Sequence, residues 1–168
     1  MRIITGNYKG RILKSPDSNK VRPTSDRAKE SLFNVLNNIV DFEEMTVLDL
    51  FCGTGSLGLE CISRGARRCY FVDNDVNAVR KNIDILKLKD ECEVLRSEVL
   101  NFLNRFNRSD IDIVFCDPPY DYERYSELIE KISLMKTILV LEHSGKFKLN
   151  DKFEEYVILK KKTGIVNF

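Results

Sequence analysis

From Val47 onward, short apolar runs and helical patterns alternate four times, and this alternation limits the chain to one class of fold. Val47 to Phe51 reads as a strand and Ser56 to Ser63 as a helix. Cys69 to Val72 is a second strand, and Val76, Val79, Ile83 and Leu86 recur at helical spacing behind a capping Asp75. Val94-Leu95 centres a third strand, followed by a helix from Val99 to Phe106. Ile111 to Cys116, Tyr122 to Ile132 and Thr137 to Leu141 give a fourth strand, a fourth helix and a fifth strand. The pattern predicts an α/β fold with a parallel, doubly wound sheet. Tyr156 to Lys160 and Gly164 to Phe168 read as a closing hairpin. Such sheets bind ligands beyond the carboxyl ends of their strands, so the residues just after each strand carry the functional information.

Upstream, residues 2–14 read as two extended segments around Gly6 and Gly10, and residues 15–23 as a loop. A helix then starts behind Pro23 and a capping Thr24, with Asp26 in its first turn and Ala28, Leu32, Val35, Leu36 and Ile39 on its apolar face. The expected organisation is an N-terminal hairpin extension over 1–23 and a single globular unit over 24–168. Residues 1–40 hold eight Lys or Arg against three Asp or Glu, whereas the remainder holds 19 against 23. A basic segment on a mildly acidic body suits either a polyanionic partner or a solvated face.

The apolar runs, such as Ile138 to Leu141, are too short to span a bilayer, and Met1-Arg2-Ile3-Ile4-Thr5-Gly6 has no signal-peptide pattern. A cytoplasmic protein without a membrane partner is the expectation. The five cysteines (Cys52, Cys61, Cys69, Cys92 and Cys116) are odd in number and form no C-x-x-C pair, so they read as small buried hydrophobes rather than disulfides or metal ligands. No metal is expected.

Gly53-Thr54-Gly55-Ser56-Leu57-Gly58 is a G-x-G-x-x-G turn between the first strand and its helix. Asp73 ends the next strand, twenty positions after Gly53, at the usual offset for a carboxylate gripping a ribose. Together they indicate an adenosine cofactor, either a nicotinamide or flavin dinucleotide or S-adenosylmethionine. Asp49, on the first strand, favours the second: it would repel a pyrophosphate and attract an ammonium and a sulfonium. The bland reading of Asp49 is a strand-end residue bonded to backbone amides. Glu98 either reaches the adenine amino group or caps a helix.

Asp117-Pro118-Pro119-Tyr120 follows the fourth strand directly. Two prolines fix their φ angles and remove two backbone donors, leaving carbonyl oxygens beside a carboxylate and a ring. Asp117 and the Pro118 carbonyl can each accept one N–H of an exocyclic amine, aiming its lone pair at a methyl donor, while Tyr120 stacks on the base. The competing reading is a strand-ending turn without chemistry. His143, the one histidine, reads as a general base or as a polar strand-end contact.

These residues resemble the bacterial small-subunit rRNA guanine-N2 methyltransferases called the RsmD family, over nearly the whole chain. The resemblance lies in Met1-Arg2-Ile3-Ile4, Gly6 and Lys9-Gly10-Arg11, in Arg22-Pro23-Thr24, Asp26-Arg27 and Glu30-Ser31-Leu32-Phe33-Asn34, and in Asp49 to Gly55, Leu57 to Glu60 and Ser63 to Ala66. Asp-Pro-Pro-Tyr alone is shared with adenine-N6 DNA methyltransferases and other amino methylators; the Arg22 to Asn34 segment is more family-specific.

The resemblance implies a Rossmann-like class I S-adenosylmethionine-dependent methyltransferase fold: a mostly parallel seven-stranded sheet with a closing C-terminal hairpin and a small N-terminal β-hairpin. It implies methylation of the N2 amine of guanine 966 of 16S rRNA in an assembling small subunit, by a monomer. Asp117, Pro118, Pro119 and Tyr120 would be catalytic. Asp49, Phe51, Cys52, Gly53, Thr54, Gly55, Gly58, Asp73, Asn74, Glu98 and Asp117 would bind the cofactor. Lys9, Arg11, Arg22, Thr24, Arg27 and Lys29 would meet RNA, unless Arg22 and Arg27 form structural pairs with Asp26 or Glu30. The chain departs from the family pattern at Asp73, where Glu is frequent, at Glu98, where Asp or Asn is usual, and in the short Ser144 to Glu155 segment. The alternatives are an adenine-N6 DNA or other amino methyltransferase, and a non-catalytic RNA-binding assembly factor.

Overall fold

A computed structural model describes residues 1–15, 26–144 and 147–148, with the main chain of 162–163 and 166–167. Five strands, β1 (Thr46–Leu50), β2 (Arg68–Asp73), β3 (Cys92–Arg96), β4 (Ile113–Cys116) and β5 (Ile138–Leu141), form one parallel sheet in the order β3-β2-β1-β4-β5. The chain builds outward from β1 on one side, then returns to build β4 and β5 on the other. The carboxyl ends of β1 and β4 therefore flank the switch point where ligands of such sheets bind.

Every residue of β1 and β4 is buried, as expected of strands covered on both faces. Alternate residues supply two cores. Val47, Cys69, Phe71, Ile113 and Phe115 pack under α1 (Asp26–Leu36), α2 (Ser56–Ser63) and α3 (Asn77–Leu86). Leu48, Leu50, Tyr70, Val72, Val114 and Cys116 pack under α4 (Val99–Leu103) and α5 (Tyr125–Ser133). The strand–helix alternation predicted from sequence is thus present in the predicted order.

Two expectations need correction. The sheet was expected to hold seven strands; among the described residues it holds five, and β6 (His143–Ser144), β7 (Lys162–Thr163) and β8 (Val166–Asn167) form a separate antiparallel ladder in the order β6-β8-β7. The break falls at Glu142, because β5 ends with its partner β4 and β6 pairs with β8 instead. β7 and β8 pair as a closing hairpin; the strand predicted over Tyr156 to Lys160 lies outside the described residues.

The second correction concerns α1. Its buried face is Lys29, Leu32, Phe33 and Leu36, an i, i+3, i+4, i+7 stripe. Ile39, expected inside, is 41% exposed. The face is rotated because Lys29, which hydrophobic periodicity discards, is fully buried. Phe33 packs on Phe42 and Phe115, with ring centroids 5.4 and 5.9 Å away.

The N-terminal segment is paired as expected: Arg2 bridges Ile12, and Ile3 and Arg11 exchange strand-like bonds with their neighbours (Ile3 N to Arg11 O, 2.9 Å; Leu13 N to Met1 O, 3.0 Å). Ile3 and Leu13 are buried in the same cluster as Phe33, so this hairpin is packed onto the sheet's helical layer. It runs along α2. Ile4 and Thr5 donate to Glu60 (2.7 and 3.0 Å), and Asn7 N reaches the Ser63 carbonyl (2.8 Å). A Cβ at Gly6 would lie 1.7 Å from that carbonyl oxygen, so only glycine permits the approach.

Glu60 and Lys29 are both fully buried, 3.3 Å apart, and Arg64 closes the pair at 3.0 Å. Lys29 also donates to the Arg2 carbonyl (2.7 Å). Burial lowers its pKa, and Glu60 partly offsets that. Lys29, expected to meet RNA, is therefore a structural cation with no exposed side chain. Replacing it with Met leaves the Glu60 carboxylate short of its buried counter-ion. The expected loss is about 3–5 kcal/mol of unfolding free energy in urea titrations; a loss under about 1 kcal/mol would show that Arg64 and the two backbone amides suffice.

Candidate active site

After β1 the backbone reverses at Phe51, which adopts φ 57°. The Cys52 amide reaches the Val72 carbonyl (3.2 Å), and Gly55 N closes the turn on the Cys52 carbonyl (2.7 Å). Gly53, at φ 52°, has open space where a Cβ would stand, so its backbone is accessible to a ligand. Gly58 is the opposite case: a Cβ there would lie 2.5 Å from the Cys69 Sγ and the Phe71 ring, so it permits α2 to lie against β2. The glycines thus divide between ligand approach and helix packing, as the motif requires.

Carboxylates hold the turn. Asp73 Oδ2 accepts from Gly53 N (2.9 Å) and its Oδ1 from Asp75 N (3.1 Å). Asp49, only 2% exposed, accepts from Gly58 N (2.9 Å). This is the backbone-amide bond that the bland reading of Asp49 allowed, and it leaves the second carboxyl oxygen out of that contact. Asn82 is fully buried and ties the Thr54 carbonyl (2.9 Å) to Lys14, whose N–H it accepts (2.7 Å) and whose carbonyl it meets (3.1 Å). Cys52 is buried and Asn74 exposed at the rim. Glu98 caps α4 by accepting from Asn101 N (2.8 Å), which engages one of the two oxygens expected to reach adenine.

Asp117 follows β4, and the amide of Asp117 points back to the Leu50 carbonyl of β1 (3.5 Å). Pro118 is buried; Pro119 and Tyr120 are exposed, Tyr120 by 56%, so its ring stands ready as a stacking surface. The Pro119 carbonyl is taken by Tyr122 N (2.9 Å). Among the described residues none donates to the Pro118 carbonyl. Tyr122 meets Phe51 edge-on at 5.2 Å and Tyr125 at 5.3 Å, joining the glycine turn to the Asp117 loop through one aromatic wall. The wall continues through Phe147, which stacks on Tyr125 (4.6 Å) and meets the His143 ring (5.3 Å).

The crevice is acidic. Burial pushes the Asp49 carboxyl well above the ordinary range, with Asp117 and Asp73 adding to the rise and the Gly58 N–H opposing it. Glu142, after β5, is pushed up to about 8 by burial and then by Asp117. Burial also raises the Cys52 and Cys116 thiols and takes the Tyr122 hydroxyl up to about 12. Such surroundings favour a cation and disfavour a pyrophosphate.

The predicted RNA-facing cations are dispersed. Lys9 and Arg11 are exposed on the hairpin and Arg27 on α1. Lys9 sits at the hairpin end docked on Ser63, about 12 Å along α2 from the glycine turn. Arg22 and Thr24 lie outside the described residues. Asp26 accepts from the Arg2 amide (3.0 Å) and lies 3.7 Å from the Arg2 guanidinium.

Sequence reasoning missed Glu142, Tyr122, Asn82 and Glu60. For Glu142 the signal was present, since it follows a strand as Asp117 does. The Asp117→Asn variant removes the negative neighbour of Glu142, which favours the ionised form. Its titration midpoint should fall from about 8, followed by side-chain carboxyl NMR; an unmoved midpoint would assign the whole rise to burial.

The family model described as Conserved hypothetical protein 95 matches residues 1–168. Ribosomal RNA small subunit methyltransferase D of Haemophilus influenzae is 38% identical over all of this chain and 91% of its own length. The solved structure of yhhF from Escherichia coli superposes with a TM-score of 0.79 at 29% identity, covering 99% of this chain and 94% of that one. SMU.776, solved with SAH, shares the fold at 17% identity and a TM-score of 0.58, over 78% of this chain and 38% of its own. The chain belongs to the RsmD family of ribosomal RNA small subunit methyltransferases.

Proposed function

We propose that this protein transfers a methyl group from S-adenosylmethionine to the N2 amine of guanine 966 of 16S rRNA in the assembling small subunit. The observation that carries the reading is the adjacency of two features at the β1–β4 switch point. One is the open-faced glycine turn with its carboxylates; the other is the Asp117-Pro118 ledge, and Phe51 and Tyr122 bridge them. Family membership supplies the ribosomal RNA, and the ledge favours an exocyclic amine over a C–H or hydroxyl group.

The residues present suit this cofactor. Asp49 and Asp73 border the turn where an ammonium and a sulfonium would lie, and a bound cation would favour the ionised form of the buried Asp49. Asp73 would also meet the ribose hydroxyls once they compete with the Gly53 amide, and Glu98 and Asn74 would border the adenosine. When bound, S-adenosylmethionine supplies an electrophilic methyl on a sulfonium, so the chain has no difficult bond to activate itself.

The work of the chain is alignment. Asp117 and the Pro118 carbonyl each accept one N–H of the amine. This withdraws its lone pair from the ring system and points it at the methyl group. As the N–C bond forms, the methyl–sulfur bond would break to leave a neutral thioether, and Asp117 would take the proton from the now acidic amine nitrogen. Tyr120 stacks on the base. Holding two reactants in register supplies about 7–11 kcal/mol in favourable cases. The base must leave its stack to enter, at a cost of a few kcal/mol, roughly. The exposed Lys9, Arg11 and Arg27 would meet phosphates outside the crevice. Among the described residues, no helix is long and apolar enough to cross a membrane.

Asp117→Ala should lower turnover on small-subunit RNA by about 10²–10³-fold, the scale of losing a preorganised polar contact, while cofactor binding measured calorimetrically survives. Near-normal turnover would remove Asp117 from the amine site. Mass spectrometry of rRNA from cells with and without the gene identifies the product; unchanged small-subunit rRNA would point to DNA adenine or a protein amide, or to an assembly factor without catalysis. Replacing Lys9, Arg11 and Arg27 with Gln should flatten the log–log salt dependence of RNA binding by about 0.7 per lost phosphate contact. An unchanged slope would place the RNA surface elsewhere.

A further inference from the structure

Glu142 has no part in the alignment described above, yet the sheet sets it beside Asp117. Leu141 pairs with Cys116 in the β4–β5 ladder, and Glu142 N donates to the Cys116 carbonyl at 2.9 Å. Glu142 therefore leaves β5 level with the point where Asp117 leaves β4, one strand over. Its Oε2 is buried and has no hydrogen-bond partner among the described residues. An unmatched buried acceptor is costly, and it stands next to the carboxylate assigned to the substrate amine.

The chemistry of the substrate edge says what would match it. In guanine the carbon that bears the amine lies between two ring nitrogens: N1, which carries a hydrogen and donates, and N3, which is bare and accepts. In adenine and cytosine the ring nitrogen next to the amine is bare and accepts. An ionised carboxyl group accepts only. A carboxylate on the N1 side of the amine is therefore complementary to guanine and opposed to the other two amino bases. We propose that Glu142 is a specificity-determining residue that accepts the N1–H of the target guanine while Asp117 and the Pro118 carbonyl hold its N2 amine.

This inference rests on the amine-methyltransferase reading and adds the choice of base to it. The raised carboxyl of Glu142 agrees with it: burial and the nearby Asp117 hold the group up in the free protein, and a cationic cofactor with an N–H donor supplies what the carboxylate lacks. Rejection by an unpaired buried polar group is also the strong form of discrimination between substrates of similar shape.

The test uses the intact protein and small-subunit RNA carrying either guanosine or 2-aminopurine riboside at the target. The analogue keeps the 2-amine and presents a bare N1. Methyl transfer is followed by mass spectrometry for the wild type, Glu142→Ala and Glu142→Gln. The wild type should prefer guanosine. Both variants should lose guanosine kcat/KM selectively, narrowing the preference by roughly 10- to 150-fold in Glu142→Ala, the range for one charge-assisted hydrogen bond, and by less in Glu142→Gln, whose amide carbonyl still accepts. A merely structural role would lower both substrates together, and an unchanged ratio in Glu142→Gln, the variant of nearly the same shape, would overturn the inference while leaving the amine chemistry standing. A wild type that methylates no guanine N2 would overturn both readings.

Discussion

Glu60, fully buried in the middle of α2, gathers the Lys29 ammonium, the Arg64 guanidinium and the amides of Ile4 and Thr5 around one carboxylate. An unpaired charge in that position would be among the most costly features a small domain can carry. Its satisfaction ties together three pieces distant in the chain: the N-terminal hairpin, α1 and α2. Two residues earlier on the same helix, Gly58 rests against Phe71 and gives its amide to Asp49. The position of the glycine turn is therefore set from below by an ion cluster and from above by a strand carboxylate. The arrangement of the crevice follows from the axis of α2.

Much of this could be read from the residues. The succession of strands and helices, the glycine turn between the first strand and its helix, and Asp73 and Asp117 at the ends of their strands all stand where the alternation of apolar runs places them. What failed, failed for physical reasons. The inner face of α1 was misjudged because Lys29 is charged, and periodicity assigns charged residues to solvent. Only a partner 31 positions later, Glu60, makes its burial tolerable. Ile39 was assigned inward by the same shift, and it is exposed. Tyr122 and Glu142 carry no motif; their roles come from packing between elements. The single seven-stranded sheet was an expectation of family shape, and a break at one residue after β5 divides the ladder.

Charge is distributed with a purpose that the net value hides. The crevice gathers Asp49, Asp73, Asp117 and Glu142; burial first, and the neighbouring carboxylates after it, raise the Asp49 and Glu142 carboxyls. The exposed Lys9, Arg11 and Arg27 lie outside it, on the hairpin and α1. On the proposed function, a polyanion would be held at the shell of the molecule and kept from the interior of the cleft, which an extruded base, free of its own charge, would enter at lower cost. The hairpin joins the two regions mechanically, since Asn82 bonds both Lys14 and the Thr54 carbonyl of the glycine turn.

Phe51 brings a different kind of constraint. Its left-handed backbone is the conformation in which a side chain is least comfortable, and glycine would sit there more easily. The chain instead places a large ring at that point, and the ring is what touches Tyr122 across the switch point. Relaxing the backbone and keeping the two sides of the cleft in contact are therefore opposed demands on a single position. Evolution toward a more robust fold and toward a faster catalyst would pull Phe51 in opposite directions.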